Sequence, residues 1–167
     1  YYAYGTSRAD GFEVYSSKDM KSWERSPRLA LSKEDSYGDK WFWAPEVYYV
    51  EEDKKFYMFY TVNEQVCVAT SDSPEGPFVQ DVKQPLFGSE KNIDPSLFID
   101  SDGKAYLYFV RFTGGNVIWC AEMNSDLKGL KEETLTKCIE AQDEWERKQA
   151  TVAEGPSILK QNGVYYL

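Results

Sequence analysis

The chain has 167 residues, enough for one domain with a substantial core, and 16 % of them are aromatic. Thirteen Tyr and five Trp suit pleated sheets and sugar-stacking surfaces better than a helical bundle. A formal net charge of −9 makes nucleic acid and anionic membranes poor partners. The sequence contains no His, which excludes a His-based triad, a His metal cluster and His acid–base catalysis within these residues.

Three cysteines, Cys67, Cys120 and Cys138, give an odd count without a C-x-x-C pair. Cys67 and Cys120 lie inside strand-like runs, where small buried thiols are common. Thiols at strand centres usually lack the surroundings that activate a nucleophile. We therefore predict that these cysteines fill core space rather than form a disulfide or attack a substrate.

Strand-type alternation, with turn signals at short intervals, dominates the chain. The predicted strands are 1–4, 12–15, 41–50, 56–61, 66–69, 94–97, 105–112, 117–123, 153–158 and 164–167. A polar insert at 135–148 interrupts the pattern, and we expect part of it to be helical.

Pro45, Pro95 and Pro156 begin three similar units, fifty and sixty-one residues apart. A period of about fifty residues with several strands in each unit is typical of propeller blades. The alternative is a β-sandwich with coincidental similarity, but sandwiches seldom repeat turn chemistry at fixed offsets. In the propeller register, 1–4 is a second strand without its first, and 164–167 is a second strand without a third. We therefore predict a portion of a larger domain.

Each unit places an acid at the strand that would line the central channel: Glu46, Asp94 and Glu154. Convergent carboxylates are what glycoside hydrolysis requires, because one acid protonates the leaving oxygen while another activates water or attacks carbon. Like charges at close range also help to keep one acid protonated near neutral pH. Taken singly, each acid could equally be a solvated loop residue or an acceptor for backbone N–H groups.

The segments YYAYGTS, WAPEV, IDPSLFIDSDGKAYLYF and AEGPSILKQNGVYYL occur in this order and extend over essentially the whole chain. With them, the sequence resembles glycoside hydrolase family 43, whose members are five-bladed β-propellers that degrade arabinan and xylan. The resemblance implies an all-β fold of the five-bladed propeller type. Residues 1–167 would supply the end of blade 1, blades 2 and 3 and the start of blade 4, as a partial catalytic domain.

The same resemblance implies roles for the acids. Glu154 would be the general acid, Asp94 the carboxylate that orients it and tunes its ionisation, and Glu46 a residue of the substrate pocket. The family is inverting, and its general base is an Asp on a strand that would precede Tyr1. The 167-residue chain alone would therefore be inactive.

Two further side chains are candidates for substrate binding. Trp43 lies just before Glu46 and could stack on a sugar ring, although core packing is the alternative. Arg111 follows the strand YLYFV and could reach a sugar hydroxyl or a carboxylate, although a surface role is equally open. We assign no metal ligand in this chain and no cofactor to the chemistry, while a structural calcium ion would be compatible with a full-length propeller.

The resulting hypothesis is an inverting hydrolase of arabinose- or xylose-containing plant polysaccharide, of the α-L-arabinofuranosidase, β-xylosidase or arabinanase type. Its partner would be a carbohydrate, and the resemblance implies an extracellular or periplasmic location. One alternative is a carbohydrate-binding propeller without catalysis. Another is a related five-bladed glycosidase or a phosphorylase, but a phosphorylase needs basic residues for phosphate and the rim segments here are acidic.

Overall fold

The computed structural model describes residues 1–6 and 8–167, and their regular secondary structure is almost entirely β-strand. The strands are β1 (Tyr2–Tyr4), β2 (Gly11–Phe12), β3 (Val14–Ser16), β4 (Glu24–Arg25), β5 (Leu31–Ser32), β6 (Trp43–Val50), β7 (Lys55–Val62), β8 (Gln65–Ser71), β9 (Asn92–Ile99), β10 (Ala105–Phe112), β11 (Asn116–Glu122), β12 (Thr136–Ile139), β13 (Leu159–Gln161) and β14 (Val164–Tyr166). Short 3-10 helices occupy Lys33–Asp35 and Glu132–Thr134. Within the described ranges, no helix is both long and apolar enough to cross a membrane.

The strands form successive antiparallel sheets, and each sheet corresponds to one repeat of the sequence. The orders are β1-β3-β4, β6-β7-β8, β12-β11-β10-β9 and β13-β14, and β2 pairs with β5 beside the first sheet. The first strand of the third sheet, β9, contacts all three strands of the sheet before it. This arrangement is that of propeller blades, and it confirms the predicted order: the end of blade 1, blades 2 and 3, and the start of blade 4.

Strand β7 shows how the blades pack together, because its side chains alternate between two cores. Phe59 is fully buried in the cluster shared with blade 3, where it joins Phe109 of β10. Met58 and Tyr60 are fully buried in the cluster shared with blade 1, where they join Phe12. Burial of one such side chain contributes about 1.5–3 kcal/mol, so β7 holds both neighbouring blades in place.

The local predictions from the sequence are wrong at residues 12–15 and in the insert at 135–148. The predicted strand 12–15 is divided, since Phe12 in β2 pairs with β5 whereas Val14 in β3 pairs with β1. The insert at 135–148 contains the strand β12 rather than an α-helix, because Thr136–Ile139 finds open pairing positions along β11. In both places the available partner strand decides the outcome, and local sequence does not reveal that partner.

Candidate active site

The innermost strands of blades 2 and 3 contain the same irregularity. The register of β6 against β7 shifts within Trp43–Glu46, and that of β9 against β10 shifts within Ile93–Ser96. Each inner strand therefore has one residue more than its partner, which defines a β-bulge. Both bulges contain a residue with left-handed backbone directly before a proline, Ala44 with φ 45° and Asp94 with φ 54°. Such bulges bend a strand and redirect its side chains.

The third repeat has the same backbone feature at Gly155, which has φ 65° and precedes Pro156. Here the predicted strand 153–158 is absent, and β13 begins only at Leu159. The register of β13 pairs Leu159 with Tyr166, and residues 153–158 are assigned to no strand.

The three acids predicted from the repeats come together at this edge of the blades. Asp94 is half-buried, and burial is the main cause that raises its pKa above the ordinary range. The negative charges of Glu154 and Glu46 raise the pKa of Asp94 further. The backbone N–H of Gly155 donates a hydrogen bond to the Asp94 carboxylate, which lowers the pKa in partial compensation. The Asp94 backbone is fixed as well, because its own N–H donates to Thr61 Oγ1 over 3.0 Å.

Glu154 is exposed and is held by contacts with the start of β11. The Nδ2 of Asn116 donates a hydrogen bond of 2.7 Å to Glu154 Oε2. The backbone of Asn116 also donates to the Thr151 carbonyl over 3.0 Å and accepts from the Ala153 N–H over 2.9 Å. The preceding residue, Gly115, permits this approach, because a Cβ there would lie 2.4 Å from the Thr151 carbonyl oxygen. We call Gly115, Asn116, Thr151 and Ala153 the Asn116 clamp.

Glu46 is half-buried and is bound by a neighbour on its own strand. The Tyr48 hydroxyl donates a hydrogen bond to Glu46 Oε2 and accepts one of 3.1 Å from the Leu97 N–H. Burial, followed by the hydrogen bond to Glu46, raises the pKa of Tyr48. This hydroxyl therefore connects the inner strand of blade 2 to that of blade 3 and fixes Glu46 beside Asp94.

Trp43 lies beside the acids but is not a freely exposed platform. It is half-buried and packs on a small core cluster that includes Ile93 and Val110. Its ring stacks on that of Trp41, with centroids 5.9 Å apart and planes 19° from parallel. The Lys40 ammonium lies 4.3 Å from the Trp41 ring centroid. Packing therefore holds the Trp43 ring in a fixed position at the start of the bulge.

Arg111 is occupied by other partners in the described part of the chain. Its guanidinium donates to Glu90 over 2.7 Å and lies between the rings of Phe87 and Trp119, 5.3 and 4.5 Å from their centroids. The side chain does reach a carboxylate, as the sequence suggested, but that carboxylate belongs to Glu90. The structure brings Glu46, Asp94 and Glu154 together and gives Arg111 a separate ion pair.

Two residues of the site escaped sequence analysis. Asn116 follows a Gly-Gly pair and carries no motif, and Tyr48 is one aromatic among many. Their roles depend on contacts between blades, with Glu154 for Asn116 and with the Leu97 N–H for Tyr48. A contact of this kind becomes visible only when the sheets are assembled.

Neither cavity volume nor metal-binding geometry marks this site. A concavity of about 770 Å³ lies beside blade 1, and its lining, which includes Tyr1, Trp23 and Glu75, contains none of the three acids. Across 1–6 and 8–167, no group of three or more His, Cys, Asp or Glu side chains is arranged to hold a metal ion. The site is defined by carboxylates that converge on the inner edge of successive blades.

Known proteins are similar to this chain along its whole length. The sequence profile described as Glycosyl hydrolases family 43 matches residues 1–167, and the chain belongs to that family. A solved structure of an endo-1,4-beta-xylanase from Bacteroides thetaiotaomicron is 62 % identical, with a TM-score of 0.93, over 99 % of this chain and 57 % of that chain. The five-bladed type of propeller predicted from the sequence is thereby confirmed.

Two curated relatives extend the comparison. The beta-D-galactofuranosidase xynD of Aspergillus niger is 29 % identical over 188 residues, covering 99 % of this chain and 51 % of that protein. The xylosidase/arabinosidase 43A of Humicola insolens is 40 % identical over 95 residues, covering 53 % of this chain and 28 % of that protein. The chain thus spans about half the length of the first of these relatives.

Proposed function

We propose that the whole protein containing this chain is an inverting glycoside hydrolase that acts on arabinose- or xylose-containing plant polysaccharide. The observation that carries the proposal is the convergence of Asp94, Glu154 and Glu46 from three successive repeats. The names of the relatives support the sugar class, since they include a xylanase and a xylosidase/arabinosidase. The partner is accordingly a carbohydrate, and an extracellular or periplasmic location fits a polymer substrate.

Glu154 acts as the general acid in this proposal. It is exposed, so a glycosidic oxygen can approach it, and the Asn116 clamp fixes its position. Because Asn116 donates to Oε2, the other carboxyl oxygen of Glu154 is left to carry the proton. Transfer of that proton to the leaving oxygen assists cleavage of the glycosidic bond.

Asp94 orients the acid and shapes the charge around it. Its backbone is fixed by the hydrogen bond to Thr61, and the Gly155 N–H, next to Glu154 in sequence, favours the ionised form of its carboxylate. Its charge also stabilises the positive charge that develops on the sugar ring during cleavage.

The remaining candidates shape the pocket. Trp43 provides a wall for a sugar ring, and Glu46 offers a carboxylate oxygen to sugar hydroxyls beside it. Arg111 supports the rim through its ion pair with Glu90 and offers its remaining N–H groups to the substrate.

The general base is assigned to none of the aspartates in this chain. In an inverting mechanism the base activates water on the opposite face of the sugar, about 6.5–9.5 Å from the acid. The family resemblance implies an Asp on a strand before Tyr1 for this role. The 167-residue chain by itself is therefore expected to be inactive.

The role of Glu154 can be tested with Glu154→Gln in the whole protein. We expect hydrolysis of unactivated xylo- or arabino-oligosaccharides to fall by about 10²–10⁴-fold. Aryl glycosides should lose much less activity, because their leaving groups need little protonation. The exposed turn residue Glu52 supplies the matched control, Glu52→Gln, which should behave as wild type. Equal losses on both substrate types would contradict the acid role.

The substrate class is tested with aryl α-L-arabinofuranoside and aryl β-D-xyloside, with the whole protein beside the 167-residue chain. Activity of the whole protein on one of them, with an inert short chain, supports the proposal and names the sugar. Binding of xylo-oligosaccharides without hydrolysis would instead identify a carbohydrate-binding propeller. Activity of the short chain would show that the base lies within these residues.

A further inference from the structure

The polar insert leaves blade 3 and rejoins it at neighbouring positions on one edge of β11. Before the insert, β12 ends at Ile139, which pairs with Ile118 of β11. After the insert, Val152 forms a parallel bridge with Asn116, the first residue of β11. Ile118 and Asn116 are two positions apart, so the two ends of the insert lie roughly 7 Å apart along the strand. Residues 140–150 therefore form a closed loop, which we call the rim loop.

The rim loop begins and ends at the edge of blade 3 that carries the acids. Asn116, beside its base, donates the hydrogen bond that holds Glu154. The strand register agrees with this placement. Arg111 of β10 pairs with Asn92 of β9, two residues before Asp94, and also with the second residue of β11. The base of the rim loop and the proposed catalytic carboxylates therefore lie at the same edge of the blade.

Trp145 lies in the middle of the rim loop and is the most exposed tryptophan of the chain. Its exposed fraction is 74 %, against 43 % for Trp41, the next in order. The turn around it is ordered, because Glu146 Oε2 accepts the backbone N–H groups of Gln142 and Asp143 over 2.8 and 2.9 Å. Trp145 Nε1 donates to Asp143 Oδ2 over 3.2 Å. The ring is thus anchored by its edge, while most of its surface stays exposed to solvent.

The chemistry of the rim loop favours a neutral ligand with an apolar face. An exposed indole ring offers a large flat apolar surface, and covering it is favourable. A sugar ring presents such a complementary face through its C–H bonds. Four acidic residues against two basic ones give the loop a negative charge, which disfavours anionic ligands. These residues are Glu140, Asp143, Glu144 and Glu146, with Arg147 and Lys148.

We propose that Trp145 is a stacking platform for a sugar of the polymer substrate, on the leaving-group side of Glu154. The inference rests on the proposed function, since it requires a substrate chain that passes Glu154. Glu154 protonates the oxygen that leaves with this part of the chain, and the rim loop is attached beside Glu154 through Asn116.

The length of the rim loop sets the distance over which the platform acts. Six residues separate Trp145 from Thr151 in the Asn116 clamp, so the ring lies at most about 20 Å from the clamp. A substrate of several sugars spans such a distance, whereas an aryl monoglycoside does not. Trp145 therefore binds long substrates and takes no part in bond cleavage.

The first test measures affinity without turnover, in the whole protein carrying Glu154→Gln. Isothermal titration calorimetry compares xylobiose with xylopentaose, and arabinobiose with arabinopentaose. We expect one pentasaccharide to bind more tightly than its disaccharide, and Trp145→Ala to weaken pentasaccharide binding by about 3–10-fold. Trp145→Phe, which keeps an aromatic ring, should retain most of the affinity. Trp23→Ala, an exposed tryptophan of blade 1, is the matched control and should have no effect.

The second test measures kinetics in the otherwise wild-type protein. Trp145→Ala should raise KM for xylan or arabinan about 3–10-fold with little change in kcat. It should leave kcat/KM for aryl glycosides unchanged, because these substrates end before the platform. Equal losses on aryl glycosides and on polymer would overturn the proposal.

The affinity measurement separates failure of the platform from failure of the proposed function. Absence of hydrolysis would contradict the glycosidase activity alone, because affinity is measured without turnover. Pentasaccharide affinity that is absent, or that does not depend on Trp145, would overturn the platform whatever the activity. A lower Tm of Trp145→Ala with unchanged affinity would also overturn it, since the rest of the whole protein would then cover the ring.

Discussion

The inner strands of blades 2 and 3 have the same backbone and different chemistry. Each contains a bulge, and in each bulge a left-handed residue precedes a proline. In blade 2 that residue is Ala44, which offers only a methyl group. In blade 3 it is Asp94, which offers a half-buried carboxylate beside Glu154 and Glu46.

This comparison separates architecture from function. A left-handed conformation costs a non-glycine residue about 1–2 kcal/mol, and strained backbone often marks functional sites. Here the strain also occurs at Ala44, so it belongs to the propeller repeat. What distinguishes blade 3 is the side chain placed on that backbone and the charges around it.

The largest effect should come from making the bulge of blade 3 resemble that of blade 2. Asp94→Ala should lower kcat/KM by about 10²–10⁴-fold, because in the proposed mechanism Asp94 is the carboxylate that orients Glu154. The fold should persist, since Ala44 already occupies the same conformation. The measurement is steady-state hydrolysis by the whole protein, with circular dichroism to check folding. Ala44→Gly is the control, and a comparable loss in that variant would mean that bulge geometry rather than the carboxylate matters.

A smaller effect is expected for Gly155→Ala, which gives the third repeat the residue that blade 2 has at the corresponding position, Ala44. A Cβ at Gly155 would meet no atom within 4 Å. The variant should therefore lose about 1 kcal/mol of unfolding free energy, because alanine adopts a left-handed backbone less readily than glycine. Urea denaturation measures this loss. Gly103→Ala, in the open β9–β10 turn, provides the same backbone change away from the acids. A loss several times that of Gly103→Ala would show that the third repeat differs from the other two.

The smallest effect concerns stability against pH. Because the folded-state pKa of Asp94 is raised, the folded protein binds this proton more tightly than the unfolded chain. Ionisation of Asp94 therefore costs stability, and the loss develops as pH rises from about 4, the ordinary value for Asp, through the raised pKa. Asp94→Asn should raise the Tm by a few degrees at neutral pH and leave it nearly unchanged in acid. Asn also suits the left-handed backbone at this position.

Thermal melts of the whole protein at both pH values would measure this difference. The exposed loop residue Asp39 supplies the control Asp39→Asn, which should not change the pH dependence. If Asp94→Asn is no more stable than wild type at neutral pH, burial and the neighbouring negative charges do not destabilise the ionised Asp94 carboxylate.

The repeat made much of this fold predictable from sequence. The positions of Pro45, Pro95 and Pro156 correctly placed the inner edges of three units, and the predicted strand 105–112 coincides with β10. These features follow from alternation of apolar residues and from turn chemistry, both of which are local. The three acids were found for the same reason, since they lie next to the repeated prolines.

Features that depend on contacts across the fold were not predictable. A residue before proline normally avoids helical backbone and favours extended conformations, so the left-handed φ of Asp94 runs against local preference. The hold of Asn116 on Glu154 joins residues 38 positions apart. The pairing of β12 with β11 was hidden for the same reason, because the polar composition of the insert concealed this strand. The proposed acids were therefore easier to find in the sequence than the residues that contact them.

The Asn116 clamp determines which part of blade 3 can vary in sequence, by evolution or by design, without moving Glu154. Thr151 and Ala153 are hydrogen-bonded to Asn116 at the start of β11, and Asn116 also bonds Glu154. The contacts that fix Glu154 therefore involve residues that follow the polar insert in sequence. The entropic cost of closing a loop grows only slowly with its length. Residues between β12 and Thr151 could therefore be removed, added or exchanged while the acid stays in register with Asp94. The rim of the blade is free to diversify without a change in the geometry around Glu154.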